Sequence, residues 1–266
     1  MDHVPPEVAR AVARYAYEDD DFARRYDAAR PRPPAVLVEL LSRLAGTVLR
    51  VVDLGAGTGL STRLWSSHAD EVVGVEPSSA MRAEAARRTT AANVTYVAGA
   101  GSSTGLPDGW ADLVTAAQAL QWMDPDSTYA EIARILRPGG VLAAYQYNTV
   151  VTGSWEADAA FRRVRELVRR RRTELMLDAE RRLWPVTPEA FLGSGVFRHV
   201  ARTALHSVEE GNGARLVEFA LSEGSLQTLL PHVSEADIAL DELRAAAAGL
   251  PTGPWYLGYE LVYGVR

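Results

Sequence analysis

The stretch VVDLGAGTGL, Val51–Leu60, restricts the fold of this chain more than any other. An apolar run ends in an acidic residue, and three glycines then alternate with small residues before a segment that can form a helix. Glycine permits positive φ and lacks the Cβ that would keep a ligand away from the backbone. The helix that follows directs its first N–H groups toward the turn. The combination predicts a strand–turn–helix unit that binds a ligand at its turn.

Strand and helix patterns alternate beyond this turn. Apolar runs predict strands, and amphipathic or Ala-rich segments predict helices, in the order Val48–Leu54, Thr58–Ser67, Glu71–Glu76, Ser79–Ala92, Val94–Gly99, Ala111–Gln118, Thr128–Leu136 and Val141–Tyr147. The last helix stops at the Arg-Pro-Gly-Gly sequence that follows it. Buried strands separated by short helices indicate parallel pairing through βαβ crossovers, so an α/β fold is predicted.

The pattern changes on either side of this region. After Asn148 the sequence predicts a long helix, a strand, two helices and a closing aromatic strand at Trp155–Arg182, Phe197–Val208, Ala214–Leu230, Ser234–Ala248 and Pro254–Arg266. Before the glycine turn, residues 7–26 have helical character and Ala35–Leu44 repeats apolar residues at helical spacing. The segment between them, Tyr26–Pro34, is expected to be irregular because of its prolines.

Charge and composition exclude several classes of function. The net charge is −6, so no nucleic-acid partner is expected. The basic segment Phe161–Arg172 is interpreted as a solvated helix face, with a clamp for an anionic substrate or partner as the alternative. The chain has no Cys and no Lys, which excludes thiolate and Schiff-base chemistry, and no metal site is predicted. Because no apolar run has membrane-spanning length and no leader pattern is present, a cytoplasmic protein without a membrane partner is expected.

The glycine spacing distinguishes two classes of cofactor. A dinucleotide prefers Gly-x-Gly-x-x-Gly or Gly-x-Gly-x-x-Ala, and here Leu60 stands at the sixth position. Gly55, Gly57 and Gly59 follow Asp53 instead, which suits the amino-acid end of S-adenosylmethionine. Backbone N–H groups of the turn are expected to meet its carboxylate, and Asp53 either orients its ammonium or braces the loop. For the glycines alone, an ordinary strand-to-helix turn is the alternative.

Glu76 provides a second expected contact. It ends the second predicted strand, close to the ~20-residue separation at which an acid binds the ribose after a glycine turn. A carboxylate has two acceptor oxygens and can bind both ribose hydroxyls at once. A capping or surface glutamate is the alternative interpretation.

Four blocks together establish a resemblance to a known family. The blocks are Asp53–Gly59, GVEPS at Gly74–Ser78, AAQALQW at Ala116–Trp122 and ILRPGG at Ile135–Gly140. In order and spacing the chain resembles class I S-adenosylmethionine-dependent methyltransferases, across about residues 26–148, and is similar to the type 11 small-molecule group with the trans-aconitate methyltransferases. The resemblance implies a doubly wound, Rossmann-like, mostly parallel seven-stranded sheet with an antiparallel last strand and a helical lid insert.

The resemblance also implies a division of the chain and a cofactor. Residues 1–266 would form a single methyltransferase domain that binds S-adenosyl-L-methionine, as a monomer or homodimer. Its parts would be N-terminal helices with a cover segment (1–45), a cofactor-binding core (46–148), a helical lid (149–195), and the final strands and helices (196–266).

Site residues follow by position in the resemblance. Tyr26 would cover the cofactor and Arg30 would pair with its carboxylate, unless Arg30 is an exposed loop residue. Met81 would pack near the adenine unless it is helix core. The full set of expected cofactor-binding residues is Arg30, Asp53, Gly55, Ala56, Gly57, Glu76, Pro77, Met81, Ala100, Gly101, Ser102 and Gln118.

Two departures from the family pattern affect these expectations. Gly99-Ala100-Gly101-Ser102 stands where the family usually has Gly-Asp-Ala, so adenine recognition would fall to backbone groups, Ser102 or stacking. Gln121 stands where the family often has His, and glutamine cannot act as a base.

The expected reaction needs little from the protein beyond geometry. Methyl transfer from a sulfonium is an in-line displacement that depends on positioning and exclusion of water, and a carboxylate acceptor needs no general base. The predicted function is methylation of an oxygen or carboxylate of a small metabolite in secondary metabolism. The alternatives are a cyclase or isomerase that retains the cofactor as structure, and a binding or regulatory module. Candidates for the acceptor pocket are Tyr26, Gln121, Trp122, Tyr145, Tyr147 and Trp155.

Overall fold

The computed structural model describes residues 16–174 and 184–266. After a short 3₁₀ turn at Ala16–Glu18, its elements are α1 (Asp20–Ala29), α2 (Val36–Ala45), β1 (Arg50–Leu54), α3 (Leu60–Leu64), β2 (Glu71–Val75), α4 (Ser79–Arg88), β3 (Val94–Val97), β4 (Ala111–Ala117), α5 (Pro125–Ile135), β5 (Leu136–Val151), α6 (Trp155–Glu174), α7 (Pro188–Gly193), β6 (His199–Gly211), α8 (Gly213–Leu221), α9 (Gly224–Leu229), α10 (Ser234–Ala247) and β7 (Gly253–Val265). A second 3₁₀ turn, Leu120–Trp122, follows β4.

The seven strands form one sheet in the order β3-β2-β1-β4-β5-β7-β6. The first five strands pair in parallel. In this register Asp53 of β1 lies beside Gly74 of β2 and Thr115 of β4. The carboxyl ends of β1, β2 and β4 therefore meet at one edge of the sheet, where ligands bind in open α/β folds.

Two apolar cores cover the two faces of the parallel strands. Neighbouring strand residues alternate between them, with Val51 and Leu113 in one core and Val52 and Val114 in the other. This alternation follows from the two-residue period of a strand. Helix α2 packs on the first face, and Ile132 of α5 packs on the second. The sheet is therefore doubly wound, as predicted.

The last strand runs antiparallel to its neighbours. The end of β7 meets the start of β5, because Arg266 N donates to Gly140 O at 2.9 Å and Gly139 N donates to Arg266 O at 3.0 Å. The helix that the sequence placed at Thr128–Leu136 ends at Ile135, and β5 begins at Leu136 and includes the Arg-Pro-Gly-Gly sequence, whereas the sequence placed the start of this strand at Val141. The pairing with β7 extends the strand over these glycines.

The chain divides into two compact units. The sheet unit comprises Arg32–Asn148, residues 184–207 and Gly258–Arg266, and the helical unit comprises residues 16–31, 149–174 and Val208–Leu257. The predicted lid, 149–195, thus contributes residues to both units, and the single-domain division stays a prediction. No described helix is long and apolar enough to cross a membrane.

The helical unit explains the basic segment of the sequence. Phe161 of α6 packs on Phe219 of α8, with ring centroids 5.1 Å apart. Arginines of α6 pair with acidic residues of the same unit, among them Arg163 with Glu242 at 3.1 Å and Arg170 with Glu235 at 3.0 Å. The side chains of these pairs are half-exposed. The segment therefore forms a solvated helix face whose arginines make ion pairs with α10. The predicted part of this helix from 175 to 182 lies outside the described residues.

Two sequence-based expectations about local structure are wrong. Tyr26–Pro34 is not irregular throughout, because α1 continues to Ala29 with buried Phe22 and Ala29 on its inner face. The helix expected at Ala214–Leu230 is instead two helices, α8 and α9, because the backbone turns at Ser222 and Glu223.

Candidate functional site

The glycine turn after β1 leaves an open space at Gly57. Gly55, Gly57 and Gly59 have φ of +67°, +56° and +82°, a region that favours glycine. A Cβ added at Gly55 would lie 2.6 Å from the Cβ of Ala119, whereas one added at Gly57 would meet no atom within 4 Å. Gly55 therefore permits packing, and Gly57 leaves a cradle that a side chain would fill.

The amides of the turn are bonded within the protein. Gly55 N and Ala56 N donate to Val75 O at 2.9 and 3.1 Å, and Gly57 N donates to a Glu76 carboxylate oxygen at 2.9 Å. These three N–H groups are engaged by the end of β2 and by Glu76, and which N–H groups of the turn meet a ligand carboxylate stays a prediction. The glycines supply space and backbone shape at this point.

Asp53 braces the turn from below. It is buried, and its carboxylate accepts hydrogen bonds from Ser61 Oγ at 3.0 Å, Thr62 Oγ1 at 2.7 Å and Thr115 Oγ1 at 2.7 Å. The first two donors begin α3 and the third lies beside Asp53 on β4. Of the two roles left open by the sequence, this geometry supports bracing of the loop.

Tyr145 extends the same network. Its hydroxyl lies 2.5 Å from Ser61 Oγ, and because Ser61 donates its proton to Asp53, the tyrosine is the donor in this pair. Burial raises the pKa of Tyr145 above its ordinary value. The residue is 3% exposed, so the structure places it beneath the glycine turn and gives it a role in support that its sequence position did not indicate.

The pKa of Asp53 predicts a pH dependence of stability. Burial raises this pKa from 3.8 to about 6, against the lowering effect of the Thr62, Thr115 and Ser61 hydroxyls. A carboxyl with a raised pKa in the folded state contributes stability that is present below its unfolded pKa and is lost as the pH rises through the folded pKa. The loss is on the order of 3 kcal/mol.

We expect the Asp53→Asn variant to lack this dependence. The free energy of unfolding is measured by urea titration. From about pH 4 to about pH 7, the value for the wild type should fall relative to the value for the variant. Other carboxylates have the opposite effect on the pH dependence of stability; Arg134, for example, lowers the pKa of Glu131 to about 2. Their effect is the same in wild type and variant, so it cancels in the difference. A constant difference across this range would show that Asp53 does not titrate as inferred.

Glu76 lies at the rim of the turn. It is 9% exposed, and besides the bond to Gly57 N it accepts from Ser78 N at 2.9 Å. Ser78 in turn caps α4, because its hydroxyl accepts from Met81 N at 3.1 Å. The carboxylate is thus fixed between the glycine turn and the start of α4.

The loop after β3 and the turn after β4 approach the same region. Ala100 and Ser103 close a tight turn with reciprocal backbone bonds of 3.1 and 2.9 Å, which leaves Ser102 exposed. Added Cβ atoms at Gly55 and Gly101 would both meet the Met123 side chain. Met123, which the sequence analysis did not identify, therefore lies between two expected cofactor residues.

Gln118 has a strained backbone at the end of β4. Its φ of +54° is the only positive value of a non-glycine residue in the part of the chain that the structure describes. Its backbone N–H donates to Tyr145 O at 2.9 Å, and its side-chain Nε2 donates to Tyr147 O at 3.0 Å. Its backbone carbonyl accepts from Gln121 Nε2 at 3.0 Å. Strain of this kind is concentrated at functional sites, where surrounding bonds maintain it.

The strain predicts an unusual order of stability for two variants. Gln118→Gly relieves the left-handed conformation, whereas Gln118→Ala retains it, and both lose the same side-chain bond. We therefore expect the glycine variant to be more stable than the alanine variant by about 1 kcal/mol, measured by denaturant unfolding. If the alanine variant is the more stable one, as in an ordinary strand or helix, the positive φ is not maintained.

The remaining expected residues of the sheet unit differ in exposure. Gln121 O accepts from Trp184 N at 2.9 Å, and Trp122 beside it is 42% exposed. Tyr147 is 9% exposed and packs edge-on against Tyr259, with centroids 5.9 Å apart. Pro77 is exposed, and Met81 is buried in α4, as the helix-core alternative requires. Trp122 is the exposed aromatic residue among these candidates.

Three expected residues belong to the helical unit. The Arg30 guanidinium donates to Ser222 Oγ and Ser222 O, both at 2.8 Å, and lies 4.6 Å from the centre of the Tyr26 ring. Trp155 begins α6 and is 75% exposed. The roles of these residues toward a cofactor or acceptor stay predictions.

The hydroxyl shell of Asp53 is the main feature that sequence reasoning missed. Ser61, Thr62 and Thr115 are separate in the chain, and Ser61 and Thr62 alone stand near the glycine block. Hydroxyl residues at the start of a helix directly after a buried acid were the available signal. In residues 16–174 and 184–266 no cluster of His, Asp and Glu could hold a metal ion.

Comparison with known proteins identifies the central stretch. Residues 52–144 match the family model described as a methyltransferase domain. An uncharacterized methyltransferase of Mycobacterium tuberculosis is 39% identical over 118 residues, 44% of this chain and 46% of the relative. A trans-aconitate 2-methyltransferase of Acidovorax ebreus is 36% identical over 129 residues, 47% of this chain and 48% of the relative. The chain thus spans about half the length of these curated relatives.

A solved structure supports the fold over a greater length. It is named, provisionally, as a type II methyltransferase of Anaeromyxobacter dehalogenans. It aligns with a TM-score of 0.65 at 24% identity, covering 89% of this chain and 97% of that chain. The predicted α/β fold with a mostly parallel seven-stranded sheet is therefore confirmed.

Proposed function

We propose, on the premise that residues 52–144 belong to the methyltransferase domain family, that the chain transfers a methyl group from S-adenosylmethionine to an oxygen or carboxylate of a small organic acceptor. The cofactor class follows from the family, and the acceptor class is inferred from the site.

The observation that carries the proposal is the electrostatic character of the glycine turn. Two carboxylates, Asp53 and Glu76, stand at this turn; burial is the main cause of the raised pKa of Asp53, and the charge of Glu76 adds to it. The amides of Gly55, Ala56 and Gly57 already donate within the protein. A pyrophosphate needs free donors at such a turn and would be repelled by both acids. A sulfonium amino acid, with one net positive charge, is favoured by them.

The residues of the sheet unit fit this cofactor. Gly57 would offer the open space for its amino-acid portion, and the carboxylate of Glu76 at the rim of the turn would accept hydrogen bonds from its ribose hydroxyls. The turn at Ala100–Ser103 and the side chain of Met123 provide a polar and an apolar surface for the adenine. When bound, the cofactor supplies a methyl group on a sulfonium leaving group, and these residues hold it in a fixed place.

The acceptor side is formed where β4 ends. Gln118 and Gln121 hold each other and β5 in one geometry, and Trp122 presents an exposed aromatic surface beside them. Such positioning brings an oxygen nucleophile to roughly 3–3.5 Å from the methyl carbon. No histidine stands in the turn directly after β4, residues 118–124, so an acceptor that is already ionised, such as a carboxylate, suits the site best. The trans-aconitate relative supports this class of acceptor.

The test is transfer of isotope-labelled methyl groups to panels of small carboxylates, phenols and alcohols. We expect label in methyl esters or ethers, with carboxylates the best acceptors. Wild type and the Gly57→Val variant are compared so that background methylation is subtracted. Conversion of an acceptor without incorporation of label would reject methyl transfer and favour a cyclase or isomerase that keeps the cofactor as structure.

A further inference from the structure

Strand β6 presents a long edge. It is the last strand in the sheet order of the described residues, and at 13 residues it is more than twice the usual length of a strand. Its sequence, HVARTALHSVEEG, has no proline. Proline is one of the residues with which proteins protect an edge of this kind, because the N–H and C=O groups of an edge strand pair readily with another strand.

The exposed face of β6 has a symmetric pattern. Side chains alternate between exposed and partly buried from Arg202 onward, so the exposed positions are Arg202, Ala204, His206, Val208 and Glu210. A cation stands four residues before His206 and an anion four residues after it. A small apolar residue and valine stand two residues before and after it, and Val208 is 61% exposed.

We propose that β6 pairs antiparallel with β6 of a second copy of the chain, across a two-fold axis at His206. In this register Arg202 lies opposite Glu210 of the partner subunit, and Ala204 lies opposite Val208 of the partner subunit. Both pairs occur twice because a two-fold interface repeats each contact. Opposite charges and apolar residues directly across two strands stabilise their pairing.

Neighbouring registers lack this complementarity. An axis one residue earlier places Arg202 opposite Val208, and an axis one residue later places Ala204 opposite Glu210. An axis two residues earlier brings Arg202 opposite His206. An axis two residues later pairs His206 with Glu210 but leaves Arg202 and Ala204 opposite residues beyond the end of β6. The axis at His206 pairs Arg202 with Glu210 and Ala204 with Val208, with the two His206 side chains opposite each other, and this self-complementarity favours a second copy of this chain as the partner.

The two charged side chains of the proposed interface, Arg202 and Glu210, are exposed and can contact a second copy of β6. Arg202 Nη1 lies 3.3 Å from Glu260 on β7, and its side chain is 59% exposed. A guanidinium has five N–H donors and can bind a second carboxylate while it keeps the first. The Glu210 side chain is exposed, with its backbone carbonyl fixed by Arg215.

The test is the mass of the protein in solution over a range of concentrations, by light scattering and sedimentation. Wild type should be a dimer. Arg202→Glu and Glu210→Arg each place like charges across the strands twice, and each should raise the dimer dissociation constant about tenfold or more. The double variant Arg202→Glu/Glu210→Arg restores both pairs and should restore the dimer. Arg43→Glu, on an exposed position of α2, is the matched control and should leave the mass unchanged.

Three results would overturn the proposal. These are a monomeric wild type at all concentrations, a dimer that neither single variant weakens, and a double variant that stays as weak as the single ones. Circular dichroism of each variant separates loss of pairing from loss of folding. None of these readouts depends on cofactor binding or methyl transfer.

Discussion

With Gly57 replaced by valine, the protein is expected to stay folded and to lose at least about 100-fold in affinity for S-adenosylmethionine. The residue has a φ of +56°, and a side chain there projects into open space, so it displaces the ligand and no part of the protein. The left-handed backbone conformation adds a cost in stability of about 1–2 kcal/mol. Calorimetric titration gives the affinity, and thermal unfolding gives the stability.

Gly109→Val is the matched control for this variant. Gly109 has a φ of +61° and equally faces open space, but it precedes β4 at the opposite end of that strand. The Gly109→Val variant should lose as much stability as Gly57→Val and should keep the wild-type affinity for S-adenosylmethionine. Equal affinity losses in both variants would mean that backbone strain, and not occupation of the cradle, weakens binding.

Glu76→Ala is expected to weaken binding of S-adenosylmethionine and S-adenosylhomocysteine alike, by about 10- to 150-fold. Hydrogen bonds to a charged group contribute about 1.5–3 kcal/mol, and the proposed ribose contact uses this carboxylate. The variant also removes the acceptor for Gly57 N and Ser78 N. Glu76→Gln keeps the shape and should have an intermediate effect, whereas Glu71→Ala, at the exposed start of β2, should have none.

A sugar analogue distinguishes direct contact from support of the turn. If Glu76 binds the ribose, wild type should bind 2′-deoxy-S-adenosylhomocysteine more weakly than S-adenosylhomocysteine. The Glu76→Ala variant should bind both equally. An undiminished preference for the ribose in the variant would assign the hydroxyl contact to another residue and leave Glu76 a purely structural role.

The sequence predicted the architecture where local patterns and tertiary structure agree. The apolar run before Asp53 and the glycines after it specify β1, the turn and α3 with few alternatives. The match of residues 52–144 to a methyltransferase domain model agrees with the resemblance that four short blocks indicated. The first part of Tyr26–Pro34 was misassigned because its prolines begin only at Pro31, after α1 has ended on buried Ala29.

The site was less predictable because its partners come from distant positions. Thr115 meets Asp53 only because β4 lies beside β1 in the sheet, and Tyr145 reaches Ser61 from β5. The positive φ of Gln118 depends on bonds to two residues of the next strand. A single sequence contains the residue types but not these pairings, so Asp53 was given two roles and the internal acceptors of the turn amides were not predicted.

The glycine turn should bind the sulfur nucleosides S-adenosylmethionine and S-adenosylhomocysteine and not a dinucleotide, and calorimetric titration of the purified protein tests this most directly. S-adenosylmethionine and S-adenosylhomocysteine should each bind at one site per chain with micromolar affinity or better, and NAD should give no saturable heat. Saturable binding of NAD, with no binding of either sulfur nucleoside, would contradict the account.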